Sequence, residues 1–251
     1  MTTAPFRPCG LIPTYENPRT VRGVVERVRE HLRDVIVVDD GSGPEGRAAC
    51  EALARDGLAI VHHLPKNLGK GGAVKAGFDV AAERGFTHAF QVDADGQHGI
   101  ACAPAFLGAA SDRPDALVLG YPVYDDTAPR TRTTARRVTK FFVDMEVGRD
   151  VVRDALIGCR VYPIEAARRC RARGNRMEFD VEIVVRMARA GVPVVNLPVH
   201  VRYLSADEGG ISHFRPVRDI VRLSWMHSRI CTGISMRWVF GKLGLVRSEA
   251  R

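Results

Sequence analysis

Short apolar runs alternate with amphipathic helical segments through the first 120 residues, and several of the runs end on acidic or glycine-rich turns. The clearest is Val35-Ile-Val-Val38, followed at once by Asp39, Asp40, Gly41 and Ser42. A continuous apolar run of this length suits a strand buried on both faces of a parallel sheet. Upstream, Asn17-Pro18 reads as an N-cap with proline at the first helical position, and Val21, Val24, Val25, Val28 and Leu32 then share one helical face. Helices are predicted over Glu45 to Arg55 and from the glycine-rich Asn67–Gly72 through Arg84, and strands over Leu58 to His62, His88 to Val92 and Asp115 to Gly120. This order predicts an α/β fold: a Rossmann-like, mostly parallel open sheet flanked by helices, with ligands at the carboxyl ends of its strands. Downstream, a helix is expected over Thr131 to Val147, a strand over Leu156 to Tyr162 and a helix over Phe179 to Ala190. One or two strands broken at Pro198 should lie between Val192 and Tyr203.

Composition narrows the class. With 251 residues, 45% of them hydrophobic and 26% charged, the chain is neither disordered nor collagen-like. Its longest stretch without a charge or histidine, Gly99 to Ser111, is too short for a spanning helix, and no apolar run of signal-peptide length opens the sequence. The six cysteines are scattered without a C-x-x-C pair, so they read as free thiols of a cytoplasmic protein. Charge is unevenly spread. Residues 1–127 hold 13 Lys/Arg against 17 Asp/Glu, and residues 128–251 hold the other 24 basic against 12 acidic residues. An acidic half suits a cation, and a basic half suits phosphate or an anionic membrane face. The basic half lacks zinc-finger spacing and an aromatic RNA-binding strand, so nucleic acid is not an expected partner.

The strongest local signal is Gln91-Val-Asp-Ala-Asp-Gly-Gln-His98. Asp93 and Asp95 follow an apolar strand end one residue apart. In an extended segment they would face the same side and share one hard divalent cation, Mg²⁺ or Mn²⁺, with Gln97 adding a neutral oxygen. The plainer alternative is a solvated acidic turn. Asp39 and Asp40, at an earlier strand end, could accept hydrogen bonds from a base or ribose, or could simply cap the following helix. Asn67-Leu-Gly-Lys-Gly-Gly-Ala73 lacks Walker A spacing, yet it sets Lys70 at a helix N-terminus where anions are favoured.

Taken together, Ile12-Pro-Thr-Tyr-Glu-Asn17, Val37-Val-Asp-Asp-Gly-Ser42, Asn67-Leu-Gly-Lys-Gly71 and Asp93-Ala-Asp-Gly-Gln-His98 resemble the inverting family 2 glycosyltransferases of the GT-A fold. The resemblance is to the polyprenyl-phosphate (dolichyl-phosphate) sugar synthase branch, and it extends through Gly158–Tyr162, Glu178–Ile183 and Pro198–Tyr203 with Gly210–Phe214. The stretch from Ala128 to Pro163 is also similar to glycosyltransferases of bacterial aryl-polyene pigment clusters. The resemblance implies a nucleoside site lined by Pro13, Tyr15, Glu16, Asp39 and Asp40. It implies a metal on the donor diphosphate held by Asp93, Asp95 and Gln97, and closure over that diphosphate by Arg202 and the Ser212-His213 loop. Arg130, Arg136, Arg137 and Arg160 become candidates for an acceptor phosphate, with a solvated helix face as the plainer alternative for the helical ones. Asp180 is a candidate general base if the acceptor is a hydroxyl, since a phosphate needs none; helix capping explains it equally well.

The expected activity is metal-dependent, inverting transfer of a sugar from a nucleotide-diphosphate sugar to a lipid-linked or hydrophobic acceptor. A nucleotidyltransferase of similar topology and a non-catalytic nucleotide-sugar or lipid-binding module are the alternatives. Residues 1–215 are expected to form the transferase domain, with 1–127 its nucleotide-sugar half and 128–215 its acceptor half. Residues 216–251 are expected to form a helical extension. There Trp225 and Trp238 stand among Arg218, Arg222, Arg229 and Arg237, a pattern suited to a helix lying on the cytoplasmic membrane face. Packing on the sheet, or a contact between two copies of the chain, fits the same pattern.

Overall fold

The apolar run Cys9–Ile12 lies in the interior of the sheet, in a strand with a parallel neighbour on each side. In the computed structural model, which describes residues 5–95, 100–123, 130–200 and 222–230, this strand is β1 (Pro8–Thr14). It pairs in parallel with β2 (Val35–Asp39) on one side and β4 (His88–Gln91) on the other, and β2 pairs in parallel with β3 (Ile60–His63). The remaining strands are β5 (Leu117–Val123), β6 (Arg160–Pro163) and β7 (Val194–His200). The order is β3-β2-β1-β4-β6-β5-β7, with β6 antiparallel to both neighbours and β5 parallel to β7. The acidic and basic stretches of the chain thus build one sheet.

Helices α1 (Val21–Arg29), α2 (Pro44–Arg55), α3 (Lys70–Glu83), α4 (Ala103–Asp112), α5 (Arg130–Val147), α6 (Ile164–Arg169) and α7 (Glu178–Arg189) connect the strands. The apolar face of α1 (Val21, Val24, Val25, Val28) is wholly buried, each valine worth roughly 1.5–3 kcal/mol. Helix α3 lies close against α7. A β-carbon on Gly71 would stand 2.3 Å from Phe179 Cβ, so only glycine permits the approach.

Four expectations need correction. Asn17 does not cap α1: its amide donates to the Tyr15 carbonyl, and Thr20 is the capping residue. The strand expected over Leu156 to Tyr162 starts later, at Arg160, and runs to Pro163. Asp154 draws the Leu156 and Ile157 amides into a turn, each bonded to its Oδ1 at 2.8 Å, so those residues do not join the ladder. Pro198 does not break its strand, because β7 lies at the sheet edge, where the N–H that proline lacks is not needed by a second neighbour. The D-x-D segment is not extended, since β4 stops at Gln91 and Ala94-Asp95 form a turn.

The chain divides into two compact units, residues 1–213 and 214–251. Within the second, residues 222–230 are helical. No helix among the described residues is long and apolar enough to cross a membrane.

Candidate active site

Four loops converge at the carboxyl ends of the parallel strands, and each is tied down by a side chain that the sequence marks. Glu16, at φ 56°, accepts from the Gly43 amide at 2.7 Å, while Ser42 Oγ accepts from the Glu16 amide at 3.0 Å. The loop after β1 is thereby locked to the loop after β2. Asp39 accepts from the Ser42 amide at 3.0 Å and lies 2.8 Å from His63 Nδ1. Burial works against ionisation of Asp39, but the bonds to Ser42 and His63 outweigh it and hold the carboxyl below the usual range. Asp40 accepts from the Leu68 and Gly69 amides at 2.7 and 2.8 Å, which fixes the turn into α3. There burial dominates and raises the carboxyl.

Asp39 and Asp40 are 1% and 3% exposed. Their carboxylates anchor neighbouring loops. Pro13 is buried in β1, and Tyr15 and Glu16 are half-buried beside it.

Lys70 is likewise not a bare anion site. Its ammonium lies 2.8 Å from Asp93 Oδ1 and 2.9 Å from Asp180 Oδ2. Burial opposes the charge, but Asp180 and Asp93 together hold the lysine above its ordinary value. Behind them Arg160 is wholly buried and donates to the carbonyls of Ile157, Ala155 and Asp180 and to the Tyr162 hydroxyl. Its Nη1 is 3.6 Å from Asp180 Oδ1. Arg160 therefore does not reach an acceptor phosphate, because its guanidinium serves the protein interior. Asp180, 1% exposed at the side chain, faces two cations and not solvent.

Gly158 makes room for Asp93. A β-carbon there would stand 2.1 Å from Asp93 Oδ2, so the position forms a notch that the carboxylate fills. Sequence reasoning places Gly158 in a motif but gives it no role; its only signal is a glycine two positions before an arginine. Thr20 carries no signal in the sequence. Its hydroxyl donates to the Ala94 carbonyl at 2.7 Å, fastening the D-x-D turn to α1. Asp95 then lies beside α1 in a shallow depression lined also by Arg19, Gly23 and Arg27.

Among the described residues no three His, Cys, Asp or Glu side chains converge as a cation site. Two hard carboxylates on a tethered turn nevertheless fit Mg²⁺ or Mn²⁺, which commonly takes one or two carboxylates and completes its shell with substrate phosphate and water.

On α5, Arg136 pairs with Asp154, Arg137 is exposed, and Lys140 pairs with Asp144. Val138, Phe141 and Met145 are also exposed there. The side chain of Arg130, together with Gln97, Arg202, Ser212 and His213, lies outside the described residues.

The chain is 28% identical over 201 residues to the undecaprenyl-phosphate mannosyltransferase of Micrococcus luteus, covering 75% of this chain and 81% of that one. It is 28% identical over 208 residues to the polyprenol monophosphomannose synthase of Mycolicibacterium smegmatis, covering 75% of each. Among solved structures, glucosyl-3-phosphoglycerate synthase of Mycobacterium tuberculosis in complex with UDP superposes with a TM-score of 0.65 at 16% identity, over 96% of this chain and 82% of that one. The same enzyme with Mn²⁺, UDP and glucosyl-3-phosphoglycerate gives 0.63 at 16% identity, over 96% and 81%. The fold is therefore GT-A. Glycosyl transferase family 2 matches residues 10–171, well over half of the chain, which sets aside the nucleotidyltransferase and non-catalytic readings: the protein is a glycosyltransferase and belongs to family 2.

Proposed function

We propose that this enzyme transfers a sugar, with inversion, from a nucleotide-diphosphate sugar to a polyprenyl-phosphate acceptor. The observation that carries the choice of acceptor is the burial of Asp180 between Lys70 and Arg160. A neutral hydroxyl must lose a proton as it attacks, and so needs a base within hydrogen-bond reach. Asp180 offers no such reach. A phosphate is already anionic and can attack the anomeric carbon without one. The two curated relatives described above, named for undecaprenyl-phosphate and polyprenol-phosphate mannose transfer, point the same way.

On the donor side, Asp93, Asp95 and Gln97 are the residues that would hold Mg²⁺ or Mn²⁺. Bound there, the cation supplies charge neutralisation for the departing diphosphate. The likeness to an enzyme solved with Mn²⁺ or Mg²⁺ and UDP supports this assignment. The protein's own part is preorganisation. Lys70 orients Asp93, Asp180 orients Lys70, and Thr20 holds the turn between the two aspartates. Arg202 and the Ser212-His213 segment are assigned to the diphosphate, and Arg130, Arg136 and Arg137 to the acceptor end.

We further propose that the enzyme works peripherally at an anionic membrane face, where such an acceptor resides. The excess of basic over acidic residues beyond position 127 supports this, as does Trp225, 69% exposed on the 222–230 helix.

The test incubates the purified chain and Mn²⁺ with a panel of labelled nucleotide sugars, and either undecaprenyl phosphate or the matching polyprenol. Transfer to the phosphate alone is expected. Equal transfer to the alcohol, or to neither, would overturn the acceptor assignment.

A further inference from the structure

Two of the cysteines meet beside the active site. Cys102 Sγ and Cys159 Sγ are 3.2 Å apart, although 57 positions separate them in sequence. Cys102 ends a short 3-10 turn, Ile100–Cys102, and is the N-terminal capping residue of the ten-residue helix α4. Helix N-terminal amides and the helix dipole stabilise a thiolate. Cys102 is half-buried and so reachable, whereas Cys159 is 0% exposed. Their mutual hydrogen bond holds the Cys102 thiol below its ordinary value, and that bond together with burial holds Cys159 well above it. One accessible nucleophilic sulfur in contact with one buried protonated sulfur is the arrangement of an attacking and a resolving thiol.

We propose that Cys102 and Cys159 form a reversible disulfide, with a hydroperoxide as oxidant, and that this bond turns down sugar transfer. The chemistry balances in two steps. The Cys102 thiolate attacks the terminal peroxide oxygen; an S–O bond forms, the O–O bond breaks, and the alcohol or water leaves with a proton. The Cys159 sulfur then attacks the sulfenic sulfur; the S–S bond forms, the S–O bond breaks, and water leaves with the Cys159 proton. Two thiols are oxidised by two electrons, one peroxide is reduced, and an external dithiol reverses the result by exchange.

The site responds because it has no slack. An S–S bond of about 2.05 Å requires the two sulfurs to close by roughly 1 Å. Cys159 is bonded on one side to Gly158, whose missing β-carbon is the notch for Asp93, and on the other to Arg160, pinned by its hydrogen bonds to Ile157, Ala155, Asp180 and Tyr162. Movement at Cys159 is transmitted through Gly158 to Asp93. This functional consequence rests on the donor-site assignment above, whereas formation of the bond does not.

The experiment treats the reduced full-length chain with hydrogen peroxide and reads it by mass and by activity. Intact mass should fall by about 2 Da, as loss of two hydrogens requires, and a non-reducing digest should link the peptides bearing Cys102 and Cys159. Cys9 and Cys50, buried and with thiols pushed up to about 12, should remain unmodified. In Cys159→Ser, dimedone should trap a sulfenic acid at Cys102. Transfer should fall about tenfold or more on oxidation, in line with displaced support around metal ligands, and return with dithiothreitol. Cys102→Ser and Cys159→Ser should keep their activity in peroxide. Absence of the 102–159 link, or a linked chain with undiminished transfer, would overturn the proposal. A chain that links but transfers to no acceptor in either state would instead sink the donor and acceptor assignments, and the control over transfer with them.

Discussion

The α-carbon of Gly158 faces Asp93 so closely that an added β-carbon would lie 2.1 Å from Oδ2 and 2.7 Å from Oδ1 of that carboxylate. Gly158→Ala must therefore displace Asp93. Mn²⁺ affinity and kcat/KM should both fall about ten- to a hundredfold, as when the support behind a metal ligand is disturbed. Metal titration and steady-state kinetics check this, with circular dichroism confirming an intact fold. Wild-type metal affinity in this variant would mean that Asp93 does not hold the cation.

Lys70 stands between two carboxylates, and the environment is largely dry, the Asp180 side chain being 1% exposed. Lys70→Met leaves Asp93 and Asp180 without their shared cation and should cost about 3–5 kcal/mol. Adding Asp180→Asn to that variant removes one of the stranded charges and should restore part of the loss. Urea unfolding of the two single variants and the double variant measures the coupling. Strict additivity would show that the three groups do not act together.

Asp180→Asn alone separates the two acceptor chemistries. With a phosphate acceptor the variant should loosen Mn²⁺ through Lys70 and Asp93 and regain most of its kcat as Mn²⁺ is raised, whereas loss of a general base would lower kcat sharply even at saturating Mn²⁺, with little change in KM. A collapse of kcat at saturating Mn²⁺ in a folded Asp180→Asn enzyme would identify a hydroxyl acceptor.

Acid should destabilise the protein through Asp39 and Glu182. Burial disfavours the Glu182 carboxylate, but the Gly174 amide, Arg186 and the Arg173 amide overcome it and hold the group low. Both carboxyls are lower in the folded than in the unfolded chain. Their stabilisation is present above the unfolded values near about 4 and is lost as pH falls through the folded ones. Asp40, held high by burial, acts in the opposite sense. Glu182→Gln should lose about 1–3 kcal/mol at neutral pH and flatten the decline of stability on acidification. Denaturant unfolding at a series of pH values reads both effects.

Gly23 in α1 and Gly108 in α4 have no atom within 4 Å of a β-carbon position. Alanine at either should add about 1 kcal/mol through helix propensity and raise Tm by a few degrees; at Gly108, which does not line the Asp95 depression, transfer should be unchanged.

For the membrane assignment, the expected result is salt-sensitive binding to anionic vesicles, weakened by Trp225→Ala or by removal of the residues after Ser224. Protein that stays in the supernatant at low salt would exclude it.

Much of the fold was legible because local chemistry and tertiary role coincide. Val35–Val38 is apolar on both faces because helices cover both faces of a mostly parallel sheet, and the strand ends at Asp39, where the loops gather. Periodicity likewise located α1, α2, α3, α5 and α7 to within a few residues. The acidic strand ends were legible as positions, but their partners were not. Asp39 could be read as a ribose ligand or as a cap, and the structure shows its carboxylate engaged by the Ser42 amide and by His63 of β3. Arg160 and Asp180, 20 positions apart, read as a phosphate ligand and a base; the fold buries both, because the antiparallel β6 carries Arg160 behind α7. The same holds for Lys70 with Asp93 and for Cys102 with Cys159. Sequence determined which groups could bear charge or react, through their chemistry and local periodicity. Tertiary structure decided which of them face each other, because ion pairs and thiol contacts depend on distances of a few ångströms that only strand order and helix packing set.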